Sequence, residues 1–282
     1  MSGLISTATE EFFRTLASSS IGAFEVGFSS ALPETFPQKV RVLGEDLNIQ
    51  LNLHLPFFFS WADQRKIDLS TKYLEGGARL ASEVKGVAVF HLGHAGDLNF
   101  EAVRPIIMKG IRDGIERIVS LSPTSRFLLG IETSGKVNEL GSLDEIALLV
   151  SELSSNSVIP IIDWSHLYAR SNGRFPRSVS DYRQVIAKLE EISPKNFYFH
   201  GSGIEFKNFQ EKRHLSAKTC VPPLPHLLEV LREGGYEYTF IVESPNAVED
   251  ALWLREVHKD PSVWIEFAER KMRESGLQAT LG

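Results

Sequence analysis

The stretch that decides the fold is Arg126-Phe127-Leu128-Leu129-Gly130-Ile131-Glu132-Thr133-Ser134-Gly135. It opens as an apolar run of the kind found in strands that are buried on both faces. It ends on a carboxylate, Glu132, followed by small residues that let the backbone turn away. A charge at the end of a buried strand is costly unless it is paired or bound to a metal. Taken alone, Glu132 is also compatible with an ordinary capping or ion-paired residue.

The same arrangement recurs along the chain, because six consecutive predicted strands each end on a histidine or a carboxylate. The steps between these residues are 37, 41, 31, 37 and 43 positions, and each step fits one strand, one helix and two loops. In a closed parallel barrel all such strand ends meet at one face, where these barrels keep their chemistry. We therefore predict a single-domain (β/α)8 TIM barrel over residues 1–259, with residues 260–282 as a helical extension packing on it. The six residues are His54, His91, Glu132, Asp163, His200 and Glu243.

Length and composition limit the classes of protein to which this chain can belong. The chain has 282 residues, of which 43% are hydrophobic and 23% are charged, so it can bury a full core. A single cysteine, Cys220, excludes an internal disulfide and suits a reducing compartment. No basic leader with an apolar core opens the chain, and no run of 18 apolar residues occurs. We expect a cytoplasmic monomer with no membrane partner.

The charge is unevenly distributed. The net charge of −6 argues mildly against nucleic-acid binding, but three bound divalent cations would cancel it. Residues 164–220 carry ten basic and five acidic side chains, which gives a local charge of +5. Within this segment Arg170, Arg174 and Arg177 follow the sixth strand with no acid between them. They form either a DNA-contacting loop or an ordinary solvated one.

The candidate ligands combine imidazoles with carboxylates and include no thiolate. Such a set suits zinc, manganese or iron(II) better than calcium or magnesium, which prefer oxygen. Eight ligands are too many for one tetrahedral ion, and a carboxylate can bridge, so two or three ions are expected. Adjacent ions generate hydroxide at neutral pH and clamp the attacking and leaving oxygens of a phosphoester. The eight are His54, His91, Glu132, Asp163, His166, His200, His214 and Glu243.

An aromatic segment follows the third strand. Phe57-Phe58-Phe59-Ser60-Trp61 places four aromatic residues within five positions, directly after His54 and Leu55-Pro56. A loop of this kind either packs into the core or exposes rings that stack on a planar partner.

The ligand motifs resemble those of endonuclease IV, a family of apurinic/apyrimidinic endonucleases. That family uses a TIM barrel and three zinc ions to cut DNA 5′ to an abasic site. The resemblance runs in order from the third strand to the end of the eighth. The matching motifs are His54-Leu55-Pro56-Phe57, Phe90-His91-Leu92-Gly93, Ile131-Glu132-Thr133, Asp163-Trp164-Ser165-His166, Phe199-His200, Arg213-His214 and Val242-Glu243.

The resemblance implies three zinc sites, with manganese as an alternative metal, and double-stranded DNA with abasic sites as the partner. The implied ligands are His54, His91 and Glu132 for the first ion, Glu132, Asp163, His200 and Glu243 for the second, and His166 with His214 for the third. It further implies that Phe57 and Phe58 insert into DNA, and the basic residues Arg170, Arg174 and Arg213 are the candidate DNA contacts. Glu132, the shared ligand, is the expected catalytic residue.

One of the departures from the family pattern lies at a metal-ligand position. The family places an aspartate two residues before the last histidine, as a ligand of the third ion, and this chain has Lys212 there. Three explanations are open: Glu211 replaces the aspartate, the third ion binds weakly, or the Lys212 ammonium acts as a catalytic group in its place.

Two other functions are compatible with the sequence. A sugar isomerase or epimerase of the same superfamily holds one metal with a Glu, Asp, His and Glu, which Glu132, Asp163, His200 and Glu243 would supply. A divergent barrel could bind metal or damaged DNA without turnover. Three histidines favour the endonuclease over the one-metal epimerase, because the epimerase does not need them: His54, His91 and His214.

Overall fold

The computed structural model describes residues 2–4, 8–29, 31–121, 123–124, 126–193 and 197–274. Eight strands form one sheet in which all neighbours pair in parallel. In sheet order they are β1 (Ser2–Leu4), β2 (Ala23–Gly27), β3 (Gln50–His54), β4 (Val87–His91), β5 (Leu128–Glu132), β6 (Val158–Asp163), β7 (Phe197–Gly201) and β10 (Tyr238–Val242). The last strand also contacts β2, so the sheet curls back on itself as a barrel.

Helices alternate with these strands, which confirms the predicted single-domain (β/α)8 barrel. None of the helices in the described ranges is long and apolar enough to cross a membrane. The helices are α1 (Glu10–Ser18), α2 (Gln38–Asp46), α3 (Gln64–Val84), α4 (Phe100–Leu121), α5 (Leu143–Leu153), α6 (Trp164–Arg170), α7 (Val179–Ile192), α8 (Leu224–Gly234), α9 (Ala247–Lys259) and α10 (Ser262–Glu274).

Alternation along the strands separates the barrel interior from the layer under the helices. The interior cluster holds residues such as Val89, Ile161 and Tyr198, whereas Phe90 and Ile131 pack in the outer core. Because successive side chains of a strand point to opposite faces, the residue two positions beyond an interior one also points inward. Four of the convergent residues lie two positions after a member of this interior cluster: His91, Asp163, His200 and Glu243. Glu132 lies two positions after Gly130, where a Cβ would meet Ile161 and Val87 of the same cluster. All five therefore converge at the carboxyl end of the barrel.

Two elements of the structure were not predicted from the sequence. The short helix α6 begins directly after β6, because the Asp163 side chain accepts a hydrogen bond from His166 N at 2.8 Å and caps it. A two-stranded antiparallel hairpin, β8 (Gly203–Phe206) and β9 (Glu211–Leu215), follows β7. Both lie at the carboxyl end of the barrel, over the convergent side chains.

The end of the chain continues as a helix. In α10, Val263 and Trp264 pack against the core formed by the second half of the barrel. The Phe267 ring lies 5.4 Å from that of Trp253 in α9. Residues 275–282 of the predicted extension lie outside the described part of the chain.

Candidate metal centre

Glu132 lies at the centre of the convergent side chains and is completely buried. Its Oε2 is 2.9 Å from His54 Nε2 and 3.2 Å from His91 Nε2. Its Oε1 is 3.1 Å from His200 Nδ1 and 3.4 Å from His166 Nδ1. Oε2 therefore faces the two imidazoles of one ligand group and Oε1 faces His200 of another, as the oxygens of a carboxylate that bridges two ions would.

The first ligand group is His54, His91 and Glu132, whose ligand atoms lie within 4.8 Å of one another. His54 Nδ1 donates to the Leu55 carbonyl at 3.0 Å. Since a neutral imidazole has one protonated nitrogen, this bond leaves the lone pair on Nε2, the atom that faces Glu132.

The second group contains Glu132, Asp163, His200 and Glu243, again within 4.8 Å. His200 Nδ1 lies 3.7 Å from Glu243 Oε1. Asp163 uses Oδ1 to cap α6, and its buried Oδ2 has no hydrogen-bond partner. This group alone is the set that a one-metal isomerase or epimerase would need.

The third group is Asp163, His166 and His214. His166 Nδ1 donates to the Thr133 carbonyl at 2.8 Å, and His214 Nδ1 lies 2.7 Å from Ser202 Oγ. The Ser202 hydroxyl donates to the Gly203 carbonyl at 2.7 Å, so it accepts from His214. Both histidines therefore keep their Nε2 lone pairs for a ligand.

A β-bulge decides which residue of β9 completes the third group. Glu205 pairs with Arg213, but the next pair is Phe206 with Glu211, so Lys212 is an extra residue in its strand. Lys212 is exposed, whereas Glu211 Oε2 lies 2.8 Å from His166 Nε2. The structure thus brings Glu211 to the site. The arrangement does not fit the expectation that the Lys212 ammonium takes the place of the ion, because the bulge turns it to the surface.

Gly135 makes room for this carboxylate. A Cβ at position 135 would lie 2.2 Å from Glu211 Oε2, so any side chain there would displace the carboxylate from this position. The neighbouring Lys136 places its ammonium 3.7 Å from Glu211 Oε1 and 3.1 Å from Glu139 Oε1. These carboxylates raise the pKa of Lys136 against the effect of burial. Lys136, which the sequence did not single out, is therefore a cation beside the third group.

The buried charges shift one another's pKa values. Burial disfavours the charged imidazole of His54, but the hydrogen bond and charge of Glu132 raise its pKa to about 9. Burial and the neighbouring imidazoles prevail over the carboxylates at His91 and lower its pKa to about 4. Burial opposes ionisation of Glu211 too, yet His166 lowers the pKa of that carboxyl to about 2. Without an ion, protons on some imidazoles balance the carboxylates, and a metal would displace them.

The buried nitrogen and oxygen atoms of the cluster are suited to binding metal ions. Buried polar atoms are almost always hydrogen-bonded in folded proteins. Here Asp163 Oδ2 and His91 Nδ1 are buried without a hydrogen bond, and His166 Nε2 and Glu211 Oε2 face each other at 2.8 Å in the same cluster. Nitrogen and oxygen donors without sulfur suit zinc, manganese or iron(II). An unpartnered carboxylate oxygen beside imidazoles and further carboxylates is what a metal site requires.

Glu25, to which the sequence analysis assigned no role, belongs to the same cluster. It is completely buried, and its Oε2 accepts from Tyr198 Oη at 2.7 Å and lies 3.1 Å from His200 Nε2. Its place in the middle of β2, between the outward-facing Phe24 and Val26, was the available signal. Strand parity alone points such a residue into the barrel.

The aromatic loop after β3 divides between core and surface. Phe59 and Trp61 are buried, and Trp61 Nε1 donates to the Leu92 carbonyl at 2.8 Å. The backbone of Gly93, which has φ +70°, packs against the Phe59 carbonyl of this loop. A Cβ at position 93 would lie 1.9 Å from Phe59 O. Phe57 and Phe58 are 69% and 54% exposed. Phe57 also stacks on the His91 ring at 5.3 Å, which places an exposed aromatic at the rim of the metal cluster.

The three predicted DNA-contacting arginines have different environments. Arg170 is half-buried and donates to the carbonyls of Lys136 and Glu139, so it supports the loop after β5 from within. Its Nη1 is therefore engaged within the protein, and a DNA contact of Arg170 stays a prediction. Arg174 lies over the Phe209 ring at 5.8 Å, and the exposed Arg213 pairs with Glu205 at 2.7 Å. Arg174 and Arg213 are on the surface.

Comparison with known proteins shows where this barrel belongs. A family model described as a xylose isomerase-like TIM barrel matches residues 13–259. An uncharacterized protein of Methanocaldococcus jannaschii, MJ0133, is 27% identical over 271 residues, covering 92% of this chain and 95% of its own.

Solved structures with the same fold have divergent sequences. Endonuclease IV from Thermus thermophilus aligns with a TM-score of 0.63 and 17% identity, over 94% of this chain and 98% of its own. A D-tagatose 3-epimerase-like protein aligns with a TM-score of 0.66 and 18% identity, over 95% and 98%. At such identities these likenesses show the fold alone.

Proposed function

The chain belongs to the xylose isomerase-like TIM-barrel family, and we propose that within this family it is a zinc-dependent endonuclease that hydrolyses DNA 5′ to abasic sites. Manganese is an alternative metal. The proposed partner is double-stranded DNA containing an abasic site, and the proposed role is in DNA repair.

The observation that carries the proposal is the surplus of imidazoles beyond a one-ion site. Glu132, Asp163, His200 and Glu243 already make a complete set for a single ion. Four further histidines nevertheless converge on the same cluster, and a one-ion epimerase would have no use for them. Three of the four fix one ring nitrogen by a hydrogen bond, which leaves the other free as a ligand. The four are His54, His91, His166 and His214.

The third ion site is proposed to use Glu211 in place of the aspartate of endonuclease IV. Its carboxylate faces His166 Nε2 at 2.8 Å inside the cluster. The acidic ligand at this position is thus kept, one residue earlier in the chain, because the bulge at Lys212 shifts the register of β9.

Metal ions, when bound at such a centre, supply Lewis acidity and hydroxide for attack on a phosphodiester. Glu132 would hold two of them at a fixed separation. The Lys136 ammonium lies beside the third group and would bind a non-bridging phosphate oxygen. Phe57 and Phe58 would stack on bases exposed at the lesion, since apolar wedges of this kind unstack and kink a duplex. Arg174 and Arg213 would contact the phosphate backbone.

The test is strand scission of a duplex that carries one tetrahydrofuran abasic analogue, with an intact duplex as control. Protein purified without chelator should nick the first duplex 5′ to the analogue, leave a 3′-hydroxyl, and spare the intact duplex. His214→Ala should slow the reaction strongly while the barrel stays folded by circular dichroism.

The second candidate is a one-metal sugar isomerase or epimerase. It is favoured by the complete Glu132, Asp163, His200 and Glu243 group. Incubation with a panel of ketohexoses, followed by chromatography of the products, separates the two functions. Sugar conversion without nicking would assign the protein to this candidate. Ion binding with neither activity would leave a non-catalytic barrel.

A further inference from the structure

His200 differs from the other histidines of the cluster in how its second nitrogen is held. His54, His166 and His214 each use Nδ1 for a carbonyl or hydroxyl and present Nε2 to the cluster. His200 is reversed, with Nδ1 facing Glu132 at 3.1 Å and Nε2 facing Glu25 at 3.1 Å. Its outer partner is therefore a carboxylate, where theirs are neutral oxygens.

Glu25 is a carboxylate in the interior of the barrel, where an uncompensated charge destabilises the fold. It lies in the barrel interior with no exposed surface. Its Oε2 accepts from Tyr198 Oη at 2.7 Å, which fixes the orientation of the carboxylate, and its Oε1 has no hydrogen-bond partner. Burying a charge in this way is unfavourable unless a partner compensates it. The partner here is the imidazole of His200.

We propose that Glu25 is a positioning residue that holds the proton of His200 on Nε2, so that Nδ1 carries the lone pair for the ion shared with Glu132, Asp163 and Glu243. Tyr198 acts one step further out by orienting the Glu25 carboxylate. A carboxylate behind a ligating histidine fixes its tautomer and ring orientation and raises its basicity. The inference rests on the proposed metal centre, but it does not depend on what that centre hydrolyses.

A direct ligand role for Glu25 is the competing explanation. Its carboxylate lies within 4.8 Å of ligand atoms of His54, His200 and Glu243. However, the Glu25 oxygen faces the Nε2 edge of His200, whereas Glu132 and Glu243 approach Nδ1. One ring cannot direct both lone pairs at the same ion, so a ligand role for Glu25 would require His200 to bind through Nε2.

The experiment measures zinc binding without DNA, in the wild type and in Glu25→Ala, Glu25→Gln and Tyr198→Phe. Zinc content at saturation is counted by mass spectrometry, and affinities come from competition with a chelator. Long-range proton–nitrogen NMR of the zinc-loaded protein reports which nitrogen of His200 is protonated.

We expect protonated Nε2 and zinc-bound Nδ1 on His200 in the wild type. Glu25→Ala should keep the full zinc content at saturation but weaken one ion by roughly 10–100-fold, the usual effect of losing such a partner. Glu25→Gln should restore part of that loss, because its amide oxygen still accepts from Nε2. Tyr198→Phe should weaken the same ion less.

Two results would overturn the proposal. Loss of a whole zinc ion at saturation in Glu25→Gln, together with His200 bound through Nε2 in the wild type, would make Glu25 a ligand. Unchanged zinc affinity in Glu25→Ala would make it a structural residue. If the alanine variant does not fold, Glu25→Gln and the NMR measurement decide alone. Failure to nick DNA with normal zinc binding would count against the endonuclease and not against this role.

Discussion

Glu211 Oε2 lies 2.8 Å from His166 Nε2, and each of these buried atoms has the other as its polar partner. With no ion between them, the carboxylate and the imidazole compensate each other as an ion pair, which, against the effect of burial, lowers the pKa of Glu211 and raises that of His166. An ion between the strand end at Asp163 and the hairpin would satisfy both. The carboxylate that the sequence pattern places at Lys212 is thus present, supplied by the preceding residue.

The first prediction compares these two neighbours in β9. Glu211→Ala should lower zinc content at saturation by one ion, because it removes a carboxylate from the third group. Lys212→Ala is the matched control and should leave zinc content unchanged, since the bulged lysine is exposed. Lys212→Asp should add no ion for the same reason. A gain of zinc in Lys212→Asp would mean that the register of the hairpin is different.

Lys136 provides the second prediction. Lys136→Met should slow cleavage of the abasic duplex by on the order of 10²-fold, comparable to the loss of one preorganised donor at a developing charge. Zinc content should stay the same, because an ammonium is not a ligand. Lys212→Met, which removes an exposed lysine from the hairpin, is the control. Equal cleavage rates for the two variants would show that Lys136 takes no part in the reaction.

The third prediction concerns the aromatic loop. Changing both Phe57 and Phe58 to alanine should weaken binding to an abasic duplex, by roughly 1–3 kcal/mol for each lost stacking contact. The melting temperature should change little, because both rings are exposed. Phe59→Ala, which empties a buried position in the same loop, should instead destabilise the protein by about 3–5 kcal/mol. A large fall in melting temperature with unchanged DNA affinity in the double variant would assign Phe57 and Phe58 to the core.

The fourth prediction follows from the pKa of His54. In the ion-free protein it is raised from 6.5 to about 9. A raised pKa contributes stability that is fully present below pH 6.5 and is lost as the pH rises through about 9. Chelator-treated protein should therefore melt at lower temperature as the pH rises over this range. The increase in melting temperature caused by zinc should become larger over the same pH range, because the ion needs deprotonated imidazoles. A difference in melting temperature with and without zinc that stays constant with pH would contradict this.

Much of the barrel and most of the candidate centre were predictable from the sequence for one physical reason. Side chains alternate along a strand, so an apolar run that ends on His91 or Glu132 fixes both the strand and the direction of its last side chain. The same rule allows Glu25 to point into the barrel, but it does not show that Glu25 meets His200 from another strand. It did not reveal the bulge at Lys212, because which residue of a hairpin is extra depends on pairing with the opposite strand.

Long-range packing accounts for the rest. The four aromatic residues after His54 look alike in sequence, yet Trp61 is fixed by the Leu92 carbonyl while Phe57 is exposed. Arg170 resembles a surface cation, but the carbonyls that it binds come from the loop after β5, more than 30 positions earlier in the chain. Neither contact leaves a local signal.

The most direct test of the three-ion centre bridged by Glu132 is a zinc count on protein purified without chelator, wild type beside Glu132→Ala. A bridging carboxylate serves two ions, so we expect close to three zinc ions in the wild type and about one in the variant, with circular dichroism unchanged. A single ion in the wild type, or full zinc content in Glu132→Ala, would contradict the account.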